Sequence, residues 1–127
     1  MTDEIYKKLF KHFSNGITHN LILWIISKEK IHGYGIMKIL DEFFSFEDSG
    51  CDLTSTSSKV YPILAKMEDN NLIKGEWDIN ENNKRVKFYT ITEEGEVVLN
   101  HIQSNMKHVV SNPKWREFFL DMTGVEI

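Results

Sequence analysis

The residues from 54 to 72 show a pattern of apolar and polar positions that has the period of a helix. Four apolar residues recur at the i, i+3, i+4, i+7 spacing of a helix that buries one face: Val60, Ile63, Leu64 and Met67. The small hydroxyl residues at 54–58 precede them, and such residues cap helix N-termini by accepting free N–H groups. Asn70 and Asn71 tolerate the left-handed conformation that ends a helix. We therefore predict an amphipathic helix here.

The exposed face of this helix would be rich in hydrogen-bonding groups. It carries Ser57, Ser58, Lys59, Tyr61 and Lys66. A helix with such a face can lie in a DNA major groove. Every surface helix has a polar face, however, so the helix alone leaves both interpretations open.

Three earlier segments also show helical spacing. The first covers residues 4–13 and ends at 14–16, a Ser-Asn-Gly sequence that favours a break. The second covers 17–28 and is apolar nearly all round, which indicates burial on more than one side. After a predicted turn at 28–35, the third helix runs to about Phe44, and a loop leads to the helix described above.

After Leu72 the period changes from that of a helix to that of a strand. Residues 73–79 and 86–91 alternate between apolar and polar, and the Asn-Glu-Asn-Asn sequence at 80–83 separates them. Two alternating segments around a polar turn predict a β-hairpin. Thr92 follows as a predicted N-cap, with acidic residues suited to the positive end of a helix.

The last long helix is predicted to end near Ser111. Its apolar residues, spaced 3, 4 and 3 apart, form a seam on one face: Leu99, Ile102, Met106 and Val109. A tail follows Pro113, with Trp115, Phe118 and Phe119 at helical spacing. Because a seam of this kind faces water in a monomer, we predict a homodimer joined through this helix.

The predicted order of elements indicates a mainly α protein with a small β-hairpin. Compact helices followed at once by a hairpin are typical of the winged helix-turn-helix. The recognition helix would cover about 55–70 and the wing about 73–91. Residues 1–92 would form the DNA-binding domain with its N-terminal helix, and residues 93–127 the dimerisation helix and tail.

Length and charge limit the classes of function. A chain of 127 residues can bury one real core. Its formal net charge of −4 weakly disfavours nucleic acid as a partner. Phosphate contacts are short-ranged in physiological salt, however, so local charge decides. Lys84, Arg85 and Lys87 form a basic cluster between acidic segments, which a merely solvated strand would also explain.

Targeting and catalytic signals are missing from the sequence. The longest apolar run, 21–26, is too short to cross a bilayer, and the N-terminus has no signal-peptide core. We therefore expect a cytoplasmic protein without membrane contact. No phosphate-binding glycine loop, nucleophile elbow or zinc-protease motif occurs, which indicates that the protein is not an enzyme.

Candidate metal and redox residues are poorly placed. His101 and His108 would lie about 10 Å apart along one helix, too far to share a metal. Cys51 has acidic neighbours that disfavour its thiolate. We expect no metal and no cofactor. The tryptophans Trp24, Trp77 and Trp115 are expected in the core, unless the tail presents aromatic rings to a cavity shared by a dimer.

Three strings of sequence resemble the PadR family of transcriptional regulators. They are His-Gly-Tyr-Gly at 32–35, Lys-Val-Tyr-Pro and the residues after it at 59–73, and Lys-Arg-Val-Lys-Phe-Tyr and the residues after it at 84–95. The resemblance covers about 17–99. Two departures are Asn71, where the family usually has glycine after the recognition helix, and Asn82 and Asn83 at the wing tip.

The resemblance implies a winged-helix protein that represses genes as a homodimer. It also implies a small aromatic or drug-like ligand, since such ligands release some members from DNA. The expected contacts to double-stranded DNA come from the recognition helix and the wing: Thr56, Ser57, Ser58, Lys59, Tyr61, Lys66, Lys84, Arg85 and Lys87. The alternative is a winged-helix module that binds another protein and no DNA.

Overall fold

The structure, a computed structural model, describes residues 2–44 and 57–127, without the side chains of Asp3, Ser57 and Ser58. Its elements are α1 (Thr2–Lys28), β1 (Ile31–His32), α2 (Gly33–Phe44), α3 (Ser57–Asp69), β2 (Ile73–Ile79), β3 (Arg85–Ile91), α4 (Glu93–Ser111) and α5 (Pro113–Thr123). The predicted cap at 54–56, Cys51 and the loop before them lie outside the described residues. The predicted winged-helix architecture, mainly α with a small antiparallel sheet, is confirmed.

Two compact units make up the chain, Met1–Glu96 and Val97–Ile127, and the boundary between them falls inside α4. Within the described segments, no helix combines the length and apolar character that crossing a membrane requires.

The helix α1 is continuous, so the predicted break at 14–16 was wrong. Ser14 and Thr18 are buried, and each returns its hydroxyl to the helix backbone. Thr18 Oγ1 donates to the Ser14 carbonyl at 2.5 Å, and Ser14 Oγ donates to the Lys11 carbonyl at 3.2 Å. A glycine inside a helix costs only about 1 kcal/mol relative to alanine. That cost is too small to end a helix whose neighbouring turns are hydrogen bonded.

Within the described residues the sheet has three strands rather than the two predicted. The hairpin is confirmed, with β2 and β3 antiparallel from Ile73 opposite Ile91 to Ile79 opposite Arg85. The short strand β1 pairs with the other edge of β3, where the sequence predicted only a turn. Two residues cannot show a period, so pattern reasoning had no signal for this strand.

The core lies between the second half of α1, α2, α3 and one face of the sheet. Its most deeply buried apolar residues are Ile22, Leu23, Ile26, Ile36, Leu40, Val60, Leu64 and Ile73. The tryptophans are not among them: Trp24, Trp77 and Trp115 are 40%, 58% and 46% exposed. The expectation of core tryptophans was therefore wrong. Smaller aliphatic side chains fill the space between the helices instead.

One threonine hydroxyl connects the end of α3 to the start of α4. Asn71 has a φ of 59°, the left-handed conformation predicted for it. The Thr92 hydroxyl donates to the Asn71 carbonyl at 2.6 Å, and Thr92 Oγ1 in turn accepts from the Gly95 N–H at 3.0 Å. The predicted N-cap at Thr92 is thereby confirmed. The approach is so close that a Cβ on Gly95 would lie 2.0 Å from the Leu72 carbonyl oxygen.

We predict that Gly95→Ala lowers the free energy of unfolding by about 1–3 kcal/mol, because the backbone at Leu72 has to move away from the added methyl group. Urea unfolding followed by circular dichroism measures the change. Gly16→Ala is the matched control. Among the described residues, no atom other than those of its chain neighbours and its own helix backbone lies within 4 Å of a Cβ added at Gly16. This variant is therefore expected to be stabilised by up to about 1 kcal/mol. Equal midpoints for Gly95→Ala and the wild type would contradict the packing described.

Candidate nucleic-acid interface

The helix α3 buries its apolar stripe and leaves a polar face outside. Tyr61 is 44% exposed and Lys66 is exposed, whereas Lys59 is half-buried. Burial, and after it the positive charge of Lys11, lowers the pKa of Lys59. Lys11 on α1 therefore brings a second cation near the start of α3, a neighbour that the sequence pattern did not reveal. Ser57 and Ser58 occupy the first turn of α3, and Thr56 lies outside the described residues.

The wing presents two exposed cations, Lys84 and Arg85. The guanidinium carbon of Arg85 lies 4.9 Å from the centroid of the Trp77 ring, a cation–π contact that orients the arginine. Because side chains alternate along a strand, Arg85 and Lys87 share one face of β3, as predicted. That face also carries the buried Tyr89 and therefore points towards the core side of the sheet.

The tip of the wing is held by an asparagine side chain. Asn80 Oδ1 accepts from the Asn82 N–H at 3.0 Å and from the Lys84 N–H at 2.9 Å. Asn83 takes a φ of 61°, a left-handed conformation that asparagine adopts more readily than most residues. The turn predicted at 80–83 thus forms without the glycine usual in the family, and it fixes the backbone from which Lys84 extends.

Lys87 has a partner inside the protein. Its Nζ lies 2.8 Å from Glu68 Oε1 at the C-terminal end of α3, and the two side chains are 30% and 32% exposed. The hydrogen bond from Lys87 to Glu68 raises the pKa of the lysine. A phosphate would have to compete with this carboxylate for the same ammonium group. The role of Lys87 as a phosphate contact stays a prediction.

An open cleft of about 530 Å³ lies between the wing, α3 and the start of α2. Its walls combine aromatic rings with cations, among them Tyr34, Tyr61, Trp77, Lys84, Arg85 and Lys87. Ammonium, guanidinium and phenolic hydroxyl groups are the side-chain donors that proteins direct at phosphate oxygens. The structure therefore brings the predicted wing residues and Tyr61 to one groove. Lys59 and Lys66 of α3 do not line it.

The start of α2 is capped by a histidine. His32 Nδ1 accepts from the Gly35 N–H at 3.0 Å. The His32 ring stacks on Phe88 of β3, with centroids 5.3 Å apart and planes inclined by 19°. The pairing of β1 with β3 places the ring there. Sequence reasoning missed this role because the usual capping residues are serine, threonine, aspartate and asparagine.

The unit Val97–Ile127 contains the predicted seam. Met106 is 53% exposed, and Leu99, Ile102 and Val109 are half-buried. In α5 the rings of Trp115, Phe118 and Phe119 contact one another, with centroids 5.7–6.1 Å apart. Among the described residues, no three histidine, cysteine, aspartate or glutamate side chains are placed to hold a metal ion.

Comparison with known proteins identifies the family. The profile described as "Transcriptional regulator PadR-like family" matches residues 22–101, which is more than half of the chain. The chain belongs to the PadR-like family of transcriptional regulators. The resemblance of the three sequence strings is thereby confirmed.

Solved structures agree with this assignment. A PadR-like transcriptional regulator from Bacillus cereus is 28% identical, with 76% of this chain and 86% of that chain covered and a TM-score of 0.61. A PadR family regulator from Clostridium difficile is 27% identical, with coverages of 82% and 98% and a TM-score of 0.62. A PadR family regulator from Eggerthella lenta is 25% identical, with coverages of 86% and 85% and a TM-score of 0.65. A search of curated proteins found no match.

Membership of the PadR-like family makes DNA the expected partner of this protein. The family consists of transcriptional regulators. In this PadR-like protein, the polar face of α3, the wing cations and the capped start of α2 all belong to the unit Met1–Glu96.

We predict that His32→Ala lowers the free energy of unfolding by about 0.5–2 kcal/mol, the usual cost of losing an N-cap acceptor. His32→Asn is expected to recover part of that loss, because the amide oxygen of asparagine can accept the same N–H group. Urea unfolding of both variants, followed by circular dichroism, measures the difference. If both variants lose the same amount, stacking on Phe88 and not capping accounts for the contribution of His32.

Proposed function

We propose that this PadR-like protein represses transcription by binding operator DNA as a homodimer. One observation carries the proposal: the exposed polar face of α3 lies in the same unit as an open cleft lined by Lys84, Arg85 and Tyr61. In a winged helix this arrangement lets α3 enter the DNA major groove while the wing contacts the neighbouring phosphate backbone.

Individual residues have distinct roles in this proposal. Ser57, Ser58 and Lys59 lie at the N-terminal end of α3, where recognition helices approach base edges, and Thr56 directly precedes them. The Tyr61 hydroxyl donates a hydrogen bond to a DNA phosphate. Lys66, further along α3, contacts the phosphate backbone of the DNA. These contacts position the protein, whereas the contacts to base edges select the sequence.

The acidic net charge does not oppose this mode of binding. The formal charge is −4 for the whole chain, yet Lys84 and Arg85 are exposed on the wing. At physiological ionic strength, charges are screened beyond roughly 8 Å, so a phosphate near the wing mainly experiences the wing. The net charge is the observation that favours the alternative, a winged-helix module that binds another protein.

The homodimer in this proposal is joined through α4. The half-exposed Met106 and the seam around it present apolar area that a second copy buries. Two recognition helices related by a two-fold axis would read half-sites about 34 Å apart. A small aromatic effector would stack on the exposed rings of α5.

We predict that the double variant Lys84→Ala, Arg85→Ala weakens binding to operator and scrambled duplexes equally. Each lost phosphate contact removes roughly 0.9 from the slope of log affinity against log salt, so the slope falls by about 2 per wing. Fluorescence anisotropy across a salt series, on the DNA upstream of the gene, measures this slope.

Lys74→Ala is the control for the wing variant. Lys74 is an exposed lysine of the same hairpin, but it lies on the opposite face of the sheet from Arg85. Its removal is expected to leave the slope unchanged. If the wild type binds no duplex even at about 50 mM salt, the alternative of a protein-binding module replaces the proposal.

We predict that Ile102→Asp converts the homodimer to monomers, because a carboxylate at the seam cannot be buried against a second copy. Sedimentation velocity at micromolar concentration measures the mass of the particle. Ser104→Asp is the matched control, since it adds the same charge to an exposed position of α4. A wild-type protein that sediments as a monomer under these conditions would defeat the dimer.

A further inference from the structure

We propose that Glu68, Gly75 and Lys87 act as a clamp that holds the wing at a set distance from α3. Lys87 is then a positioning residue for DNA binding and not a phosphate ligand. This inference rests on the proposed function and assigns Lys87 a different task within it.

A single carboxylate on α3 holds both strands of the wing. Glu68 Oε1 accepts from Lys87 Nζ on β3 at 2.8 Å. Glu68 Oε2 accepts from the Gly75 N–H on β2 at 3.3 Å. Because the two oxygens of one rigid group bind the two strands, the contacts determine both the distance and the orientation of the wing relative to the helix.

Glycine at position 75 gives the lysine its route to Glu68. A Cβ on Gly75 would lie 2.2 Å from Lys87 Cε and 3.1 Å from Glu68 Oε2. The lysine stem therefore runs directly across Gly75. The clashing atom is the far end of a flexible side chain, so an alanine at this position can be accommodated if the lysine swings away. Gly75→Ala thus opens the clamp without a large penalty on folding.

The clamp lies where the hairpin leaves the core. Ile73 and Tyr89 are 1% and 5% exposed, whereas Trp77 and Ile79 are 58% and 60% exposed. From Glu76 to Arg85 every residue is exposed except the half-buried Asn80. Burial therefore does not hold this part of the wing in place, and the clamp lies at the boundary between the buried base and the exposed part of the hairpin.

Another ion pair tethers the wing on its opposite face. Lys30 and Asp78 are 3.6 Å apart, with side chains 50% and 61% exposed. This pair joins the wing to the segment before β1. It does not involve α3, so the distance between the wing and α3 is set by the clamp. A change in the distance between the wing and α3 would move Arg85 and Lys84 relative to the DNA major groove that α3 enters in the proposed complex. The two sets of DNA contacts could then no longer form together without strain.

The charge of Lys87 is already balanced in the free protein. Its ammonium group donates to Glu68, and the centroid of the buried Tyr89 ring lies 5.7 Å away. Binding a phosphate would leave Glu68 beside the DNA without its cation, and a carboxylate there would repel the backbone. The pair is therefore better suited to set geometry than to supply positive charge.

The test uses two variants that release Lys87, Gly75→Ala and Glu68→Gln, with fluorescence anisotropy on operator and scrambled duplexes across a salt series. A clamp predicts that operator affinity falls roughly tenfold, the size of a coupling between contacting residues, while the salt slope stays that of the wild type. If Lys87 were instead a phosphate ligand held back by Glu68, the opposite is expected. Freeing the lysine would then raise both the affinity and the salt slope.

Glu76→Gln is the matched control for Glu68→Gln. Glu76 belongs to the same hairpin and pairs with Lys74 at 3.0 Å on the other face of the sheet, so the variant makes the same change in net charge. It is expected to leave the preference for operator over scrambled DNA unchanged. The charge-reversed pair Glu68→Lys, Lys87→Glu restores the ion pair and is expected to recover part of the affinity lost by Lys87→Glu alone.

The wild type separates failure of the clamp from failure of the proposed function. If the wild type binds operator DNA and the two releasing variants keep its affinity and slope, the clamp is overturned. If the wild type binds no duplex, the proposed function fails. The clamp is then judged by hydrogen exchange alone: faster exchange of β2 and β3 amides in Gly75→Ala supports it, and unchanged exchange overturns it.

Discussion

The winged helix of this chain depends on the hydrogen bonds that close its hairpin at the base. Leu72 directly precedes β2 and Thr92 directly follows β3, and the Thr92 N–H donates to the Leu72 carbonyl at 3.1 Å. The Thr92 hydroxyl then joins the end of α3 to the first turn of α4. The end of α3, the wing and the start of α4 therefore meet at one point, and a small shift there moves all three. The absence of a side chain at Gly95 makes the approach of the two segments possible.

Charge in this protein is arranged locally. The chain is acidic overall, and several of its lysines are occupied by acidic partners: Lys87 with Glu68, Lys74 with Glu76 and Lys30 with Asp78. Arg85 is held differently, over the Trp77 ring, which leaves its hydrogen-bond donors available while limiting its freedom. A basic cluster in a sequence thus contains cations with different tasks. The distance from each cation to the nearest carboxylate distinguishes them.

The start of α2 shows how the sheet serves the site. The strand β1 has only two residues, yet its pairing with β3 sets His32 against Phe88 and aims its Nδ1 at the first turn of α2. The walls of the cleft also include Tyr34 on α2 and Tyr61 on α3. Edge pairing, a ring stack and a helix cap therefore act together to place α2 beside α3.

The sequence by itself determined those features whose physical causes are local. The stripe from Val60 to Met67, the alternation in the hairpin, and the caps at Asn71 and Thr92 each follow from the spacing or the chemistry of neighbouring residues. The basic wing was visible for the same reason. Only the tertiary structure decided that α1 continues through Gly16, that β1 exists, that Trp77 is exposed, and that Lys87 is paired with Glu68. The last three depend on residues distant in sequence, 19 positions apart for the ion pair, and no periodicity encodes such a contact. The continuity of α1 depends instead on its own hydrogen-bonded turns at Ser14 and Thr18, against which the small cost of Gly16 is not enough to end the helix.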